Sequence, residues 1–220
     1  MAKTITTSFM GDANLGLFGF ATDRYCVVGA SPKNPKKVKE ALKVPIIKSS
    51  MLGTDLTGVF STGNSDGIIV ADMLSDYEIE KLKEKVNVLV LDTRYTAIGN
   101  LVLMNDYGCI ISKLIKKEKN RIERFFGLDC AISNLKLNVI GSLAIATNRG
   151  CLVYPEIKEN YAKEIERALK VKVDIGTANF GSMFVGSCLI ANSYGLLVSN
   201  RATGVEVARI EETLFGNKIK

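Results

Sequence analysis

Histidine is absent from the 220 residues, which leaves five cysteines, 23 carboxylates and 29 lysines and arginines to carry any chemistry. Without imidazole there is no Ser-His-Asp triad, no Cys-His dyad, no His-ligated zinc and no imidazole acid–base catalysis. The thiols are Cys26, Cys109, Cys130, Cys151 and Cys188. A metal site would want close pairs such as C-x-x-C, and no two of these stand so close. No metal and no cofactor is therefore expected. Cys26, Cys109 and Cys151 each stand ten residues after a glycine, in a slot that Ile68 and Leu196 fill elsewhere. A slot shared by Cys, Ile and Leu reads as core, with Cys acting as a small hydrophobe. The odd count also argues against a disulfide framework in a chain expected to be cytosolic.

The glycines do not form a phosphate loop: neither G-x-x-x-x-G-K-[ST] nor a G-x-G-x-x-G opening a helix occurs. Basic residues are concentrated instead. Residues 33–43 hold five Lys against one Glu, and residues 113–124 hold six basic residues against two Glu. Such runs read either as solvated helix faces or as contacts to RNA phosphate. The net charge of +6 favours an acidic partner such as RNA. Aromatic residues do not interleave with these bases, so a stacking platform for single strands is unsupported.

The elements that must position these residues repeat. The windows GVFSTGNSDG at 58–67, GNLVLMNDYG at 99–108, GSLAIATNRG at 141–150 and GSCLIANSYG at 186–195 each begin and end in Gly. A fifth, GLFGFATDRY at 16–25, lacks the closing Gly. The anchors Gly16, Gly58, Gly99, Gly141 and Gly186 are 42, 41, 42 and 45 residues apart. Repetition at this period marks a repeat architecture. Each window reads as an alternating strand, such as Leu101 and Leu103, followed by a tight Asn/Asp/Gly turn in which Gly supplies positive φ. A short apolar strand comes next, then a charged amphipathic helix, then a third strand such as Val88 to Leu91. Asn34-Pro35, Ser75 with Glu78, and Thr203 with Glu206 mark helix starts. The anchor glycines are expected to permit a bend or a close backbone approach.

These elements predict an α+β fold in one domain, 1–220. Its repeats are roughly 10–51, 52–92, 93–134, 135–178 and 179–220. No strand follows the last helix, and a spare strand at 4–9 precedes the first anchor. That strand is expected to complete the fifth unit and close the array into a ring, leaving few raw sheet edges. Asn64, Asn105, Thr147 or Asn148, and Asn192 recur once per unit as turn formers, and in a ring they would gather on one face. No apolar run reaches the roughly 18 residues of a membrane span, and MAKTITTSF has no signal-peptide apolar stretch, so a cytoplasmic location is expected.

Five βαβ-like units of this length resemble the pentein fold. Within it, the chain resembles the translation initiation factor six family, the ribosome anti-association factors of archaea and eukaryotes. The resemblance is carried by Thr96-Ala97-Ile98-Gly99-Asn100 with Asn105-Asp106, and by Val139-Ile140-Gly141-Ser142 with Thr147-Asn148-Arg149-Gly150. It continues through Ile175-Gly176-Thr177-Ala178-Asn179-Phe180-Gly181-Ser182 and Ala202-Thr203-Gly204-Val205-Glu206. It implies a monomer that binds the large ribosomal subunit on a ribosomal protein near the sarcin–ricin loop, and possible contact with ribosomal RNA. It also implies that small-subunit joining is blocked and that the factor takes part in large-subunit biogenesis. No membrane or DNA partner and no catalysis are implied. Asn105 matches a ribosome-facing position of the family, and Gly16, Arg94 and Asn64 match entry or turn positions expected on the same face. Two other readings remain: a ring-shaped scaffold for a non-ribosomal protein or RNA, and a pentein guanidine-modifying enzyme, whose chemistry needs the His this chain lacks.

Overall fold

The computed structural model describes residues 2–216, in which five three-stranded sheets share one design. Unit three shows it. A helical turn, Ile98–Leu101, leads into the strand Val102–Met104, which pairs antiparallel with Cys109–Ser112. A 3-10 segment, Lys113–Glu118, and the outer helix Lys119–Phe126 follow. The chain returns as Cys130–Ser133, parallel to the second strand. Unit five has no return strand among the described residues after its helix Gly204–Phe215. Its third place is taken by Lys3–Thr6, which lies parallel to Gly195–Val198. That strand stops short of Phe9, which bridges Asp12 and Pro32 instead. The fold is α+β, and each sheet is open.

The second strand of every unit is buried along its length, which is why it reads as a continuous apolar run. Its two faces serve different cores. Cys109 and Ile111 pack with Ile69, Leu89 and Leu91 of unit two. Ile110, between them, packs with Leu143, Cys151 and Ile165 of unit four. The same parity sends Leu197 of unit five to Phe9, Cys26 and Val38 of unit one. A one-residue slip would exchange the two cores, so register is tightly specified.

The anchor glycines lie in short helical turns, Leu15–Leu17, Thr57–Phe60, Ile98–Leu101, Ile140–Leu143 and Val185–Cys188, rather than directly before strands. This corrects the expected order of elements. Leu101, expected in a strand, ends a helical turn, and Val102, Leu103 and Met104 are all buried without alternation. The close approach is real. A Cβ on Gly58 would stand 1.9 Å from the carbonyl oxygen of Gly16, and one on Gly99 would stand 1.9 Å from that of Gly58. Gly141, Gly186 and Gly16 meet the oxygens of Gly99, Gly141 and Gly186 at 2.0 Å in the same way. Each anchor thus backs onto the preceding one, and the first backs onto the last.

Ser75 with Glu78 and Thr203 with Glu206 form complete capping boxes. Asn34 occupies the cap position of Pro35–Leu42, but its side chain makes no capping bond. Residues 113–124 are not one helix, because Ile115 at φ −110°, ψ 24° breaks the 3-10 segment before the α-helix.

Candidate functional site

The first strands run from the glycine turns at one end to the hairpin turns at the other, and the hairpin turns form a layered face. Six residues after each anchor stand Thr22, Asn64, Asn105, Thr147 and Asn192, all buried. The Asn105 amide donates to the carbonyls of Thr147 at 3.1 Å and Leu169 at 3.0 Å. Asn192 donates likewise to Thr22 and Leu42, both at 2.8 Å. The Thr147 hydroxyl donates to Leu214 at 3.1 Å. Leu42, Leu169 and Leu214 lie in the last turns of outer helices, where carbonyls have no intrahelical partner. Each of these turns therefore caps the helix of the following unit. Their own Oδ1 atoms accept from the turn backbone: Asn105 from Tyr107 and Gly108, Asn192 from Tyr194 and Gly195.

This geometry corrects the role given to the closing glycines. Gly67, Gly108, Gly150 and Gly195 are not among the residues at positive φ. Glycine is needed because the neighbouring helix end presses on the turn: a Cβ on Gly108 would meet the carbonyl oxygen of Ala168 at 1.8 Å, and one on Gly150 that of Thr213 at 1.9 Å.

One residue further out, the turns bond to each other. Asn148 is the hub: its amide donates to Asp23 at 2.8 Å and to Asp106 at 2.6 Å, and its oxygen accepts from the Asp106 N–H at 2.9 Å. Asp106 also accepts from the N–H and hydroxyl of Ser65, and Asp23 from the N–H of Ser193. Tyr25 takes the place of the missing closing Gly in unit one, and its hydroxyl donates to Asn64 and Gly67 at 2.8 Å. Burial, with Asp106 and Asp66 adding to it, raises the Tyr25 pKa far above its ordinary value, so the phenol stays a donor. Asp23, Asp106 and Asn148 were not singled out as a network from the sequence; their shared slot after each anchor was the available signal.

The outermost layer is Arg24, Asp66, Tyr107, Arg149 and Tyr194, eight residues after each anchor. All but the half-buried Arg149 are exposed. These side chains, and not the buried asparagines, are what a partner at this end would touch. Arg24 pairs with Asp66 at 3.3 Å with both groups well exposed, a pair that contributes little to stability.

The four candidate site residues fall at two ends. Asn64 ends the first strand of its unit and Asn105 directly follows its own, both at the hairpin end. Gly16 and Arg94 precede theirs, at the glycine end. Arg94 is exposed there, stacked on the Tyr95 ring at 5.0 Å and bonded to its hydroxyl. The expectation that all four share a face is not what the geometry gives.

Between the two ends the axis holds a cavity of 80 Å³ lined by first-strand residues and anchor glycines. Pockets for drug-sized ligands run to about 300–1,000 Å³, so this axis is a packed seam and not a substrate chamber. The five thiols are buried and free. Burial pushes Cys26 up to about 12 and raises Cys151, while the adjacent Cys130 and then burial raise Cys109. None of these three is a thiolate near neutrality. Among the described residues no cluster could hold a metal, and no helix is long and apolar enough to cross a membrane.

The comparison with known proteins decides the family. The model described as "eIF-6 family" matches residues 4–213. The chain belongs to the eIF-6 family. Similar members include Translation initiation factor 6 of Thermococcus onnurineus, 37% identical with 94% of this chain and 95% of the relative covered. The protein of the same name from Pyrococcus horikoshii is 36% identical over 94% and 96%. That of Sulfolobus acidocaldarius is 35% identical over 93% and 95%. The match spans every unit, so the hairpin face belongs to the matched region throughout.

Proposed function

We propose that this chain is a translation initiation factor that binds the large ribosomal subunit and prevents it from joining the small one, with a role in large-subunit biogenesis. The partner surface is a ribosomal protein near the sarcin–ricin loop, the site of action is the cytoplasm, and the protein acts as a monomer. The succession of glycine contacts and of cores shared between consecutive units, including the last with the first, supports reading the array as a closed pentein ring. The observation that carries the functional reading is the hairpin face. Turns from five units are cross-linked through Asn148, Asp23 and Asp106 into one platform, with a cavity of only 80 Å³ behind it. Such a platform can obstruct without catalysing, and blocking needs only a sufficient interface. Asn64 and Asn105 hold the platform from beneath, while Tyr107, Tyr194, Arg24 and Arg149 meet the partner. Gly16 and Arg94 belong to the opposite end in this reading.

The test is cosedimentation with purified large and small subunits, alongside light scattering of subunit joining. The protein should travel with large subunits alone and suppress joining in proportion to occupancy. Tyr107→Ala should weaken binding without altering the fold. Arg94→Ala should leave binding unchanged. A reversed pattern would move the interface to the glycine end, and unchanged suppression by Asn105→Ser would remove Asn105 from the site.

A further inference from the structure

Three units carry a positive-φ turn before their glycine anchor, closed by Phe9 and Asp12, by Met51 and Thr54, and, one residue longer, by Ala178 and Ser182; the first of the three lacks an internal ligand. In unit five the turn holds Asn179, Phe180 and Gly181 at φ 52°, 68° and 93°. The Phe180 and Gly181 N–H groups donate to the Glu206 carboxylate at 3.1 and 2.8 Å, and the Thr177 hydroxyl donates to the same group at 2.9 Å. In unit two the turn holds Leu52 and Gly53 at φ 54° and 69°. There Leu52 N–H donates to Glu78 at 2.7 Å. Glu78 and Glu206 occupy the same place, the third position of the outer helix.

Unit one repeats the turn with Met10 and Gly11 at φ 53° and 84°, and with Ser8 in the place of Thr177. The segment before the outer helix lies against it, since Phe9 bridges Pro32 and the Lys33 N–H donates to the Ser8 carbonyl at 3.0 Å. The third helix position, however, is Lys37. Among the described residues no carboxylate accepts from Met10 or Gly11, and the Ser8 hydroxyl has no partner. The turn N–H groups that meet a carboxylate in units two and five thus recur in unit one, where the helix position that Glu holds there is a lysine; the cap is Asn34, without the hydroxyl that Ser75 and Thr203 add. Lys33, Lys36, Lys37, Lys39 and Lys43 form no ion pair among the described residues, and Glu40, the one carboxylate on this helix, pairs with Lys3.

We propose that the turn 9–12 of unit one, with Lys37 and the lysines beside it, binds a phosphate of an RNA backbone. Successive backbone N–H groups at positive φ make an anion-binding concavity. One carboxylate would be satisfied by the turn and a single lysine, whereas a row of unpaired lysines suits a run of phosphates. This site lies at the glycine end, away from the hairpin face, and stands whether or not that face docks on a ribosomal subunit.

The test uses the full chain and a fluorescent RNA duplex, read by anisotropy across a salt series. Lys37→Glu introduces the internal carboxylate of units two and five, and Lys36→Glu makes the same charge change one position away. Lys37→Glu should weaken binding about tenfold and Lys36→Glu about threefold, with binding falling steeply as salt rises. The thermal midpoint of Lys37→Glu should be no lower than that of the starting protein, because a carboxylate replaces a lysine in the first helical turn, where the helix dipole favours negative charge. Equal losses in the two variants would reduce the effect to diffuse charge and overturn the proposal. So would an absence of RNA binding, and so would Lys37-dependent binding of poly-glutamate with none of RNA, which would reassign the site to an acidic protein segment.

Discussion

The side-chain amide of Asn105 reaches the carbonyl of Leu169, 64 residues on, at 3.0 Å and closes the end of the next unit's helix. The same amide also holds Thr147 in the neighbouring turn. A residue that looks like an ordinary turn former is a buried clasp between units.

Asn105→Ala removes two inter-unit donations and leaves two helix-end or turn carbonyls unpaired in a buried place. It should destabilise the protein by about 2–4 kcal/mol in urea unfolding. Tyr107→Ala, in the exposed layer of the same turn, should stay within about 0.5 kcal/mol. Equal effects would mean that the clasp carries no special weight.

Gly99→Ala would place a methyl 1.9 Å from the Gly58 carbonyl oxygen, a contact that only backbone movement could relieve. A loss of about 3 kcal/mol or more, or failure to fold, is expected. Gly204 is the opposite case: it opens a helix, is not among the positive-φ glycines, and has nothing within 4 Å of an added Cβ. Gly204→Ala should stabilise by about 0.5–1 kcal/mol, by restricting the unfolded chain and favouring helix. Thermal melts of the two variants check both signs.

Glu206 gives a pH signature. Burial by itself would raise its pKa, but backbone N–H groups of Thr203, Gly181 and Phe180 and the Thr177 hydroxyl outweigh burial and hold it at about 2. The folded pKa thus lies below the unfolded value near 4.3, so the ionised group stabilises the fold above that value. That stability, of the order of 2–3 kcal/mol, is lost as pH falls from about 4.5 to about 2. Denaturation measured across this window should show the decline in the starting protein and a flatter profile for Glu206→Gln. A parallel decline in both would refute the assignment.

The buried thiols should resist alkylation. With Cys26 pushed up to about 12 by burial and Cys109 and Cys151 also raised, iodoacetamide at mildly alkaline pH should leave all three unmodified in the native protein. Denaturant should expose all five cysteines to labelling. Rapid native labelling of Cys26, detected by mass spectrometry, would contradict the packed slot.

What could be read from the chain alone is what depends on local pattern. The five anchors, the second and third strands, the capping boxes at Ser75 and Thr203, and the core character of the Cys26, Cys109 and Cys151 slot all follow from spacing and side-chain type. The tertiary structure decided what each repeated residue is for. Asn105 and Asn192 form turns in either case, but only the arrival of Leu169 and Leu42 makes them buried caps. Gly108 reads as a positive-φ turn residue until the Ala168 carbonyl is found against it. Gly16 and Arg94 part from Asn64 and Asn105 because a strand runs between the two ends of every unit. In each case the deciding atom comes from another unit, and contacts between distant segments leave no trace in the spacing of the residues that make them.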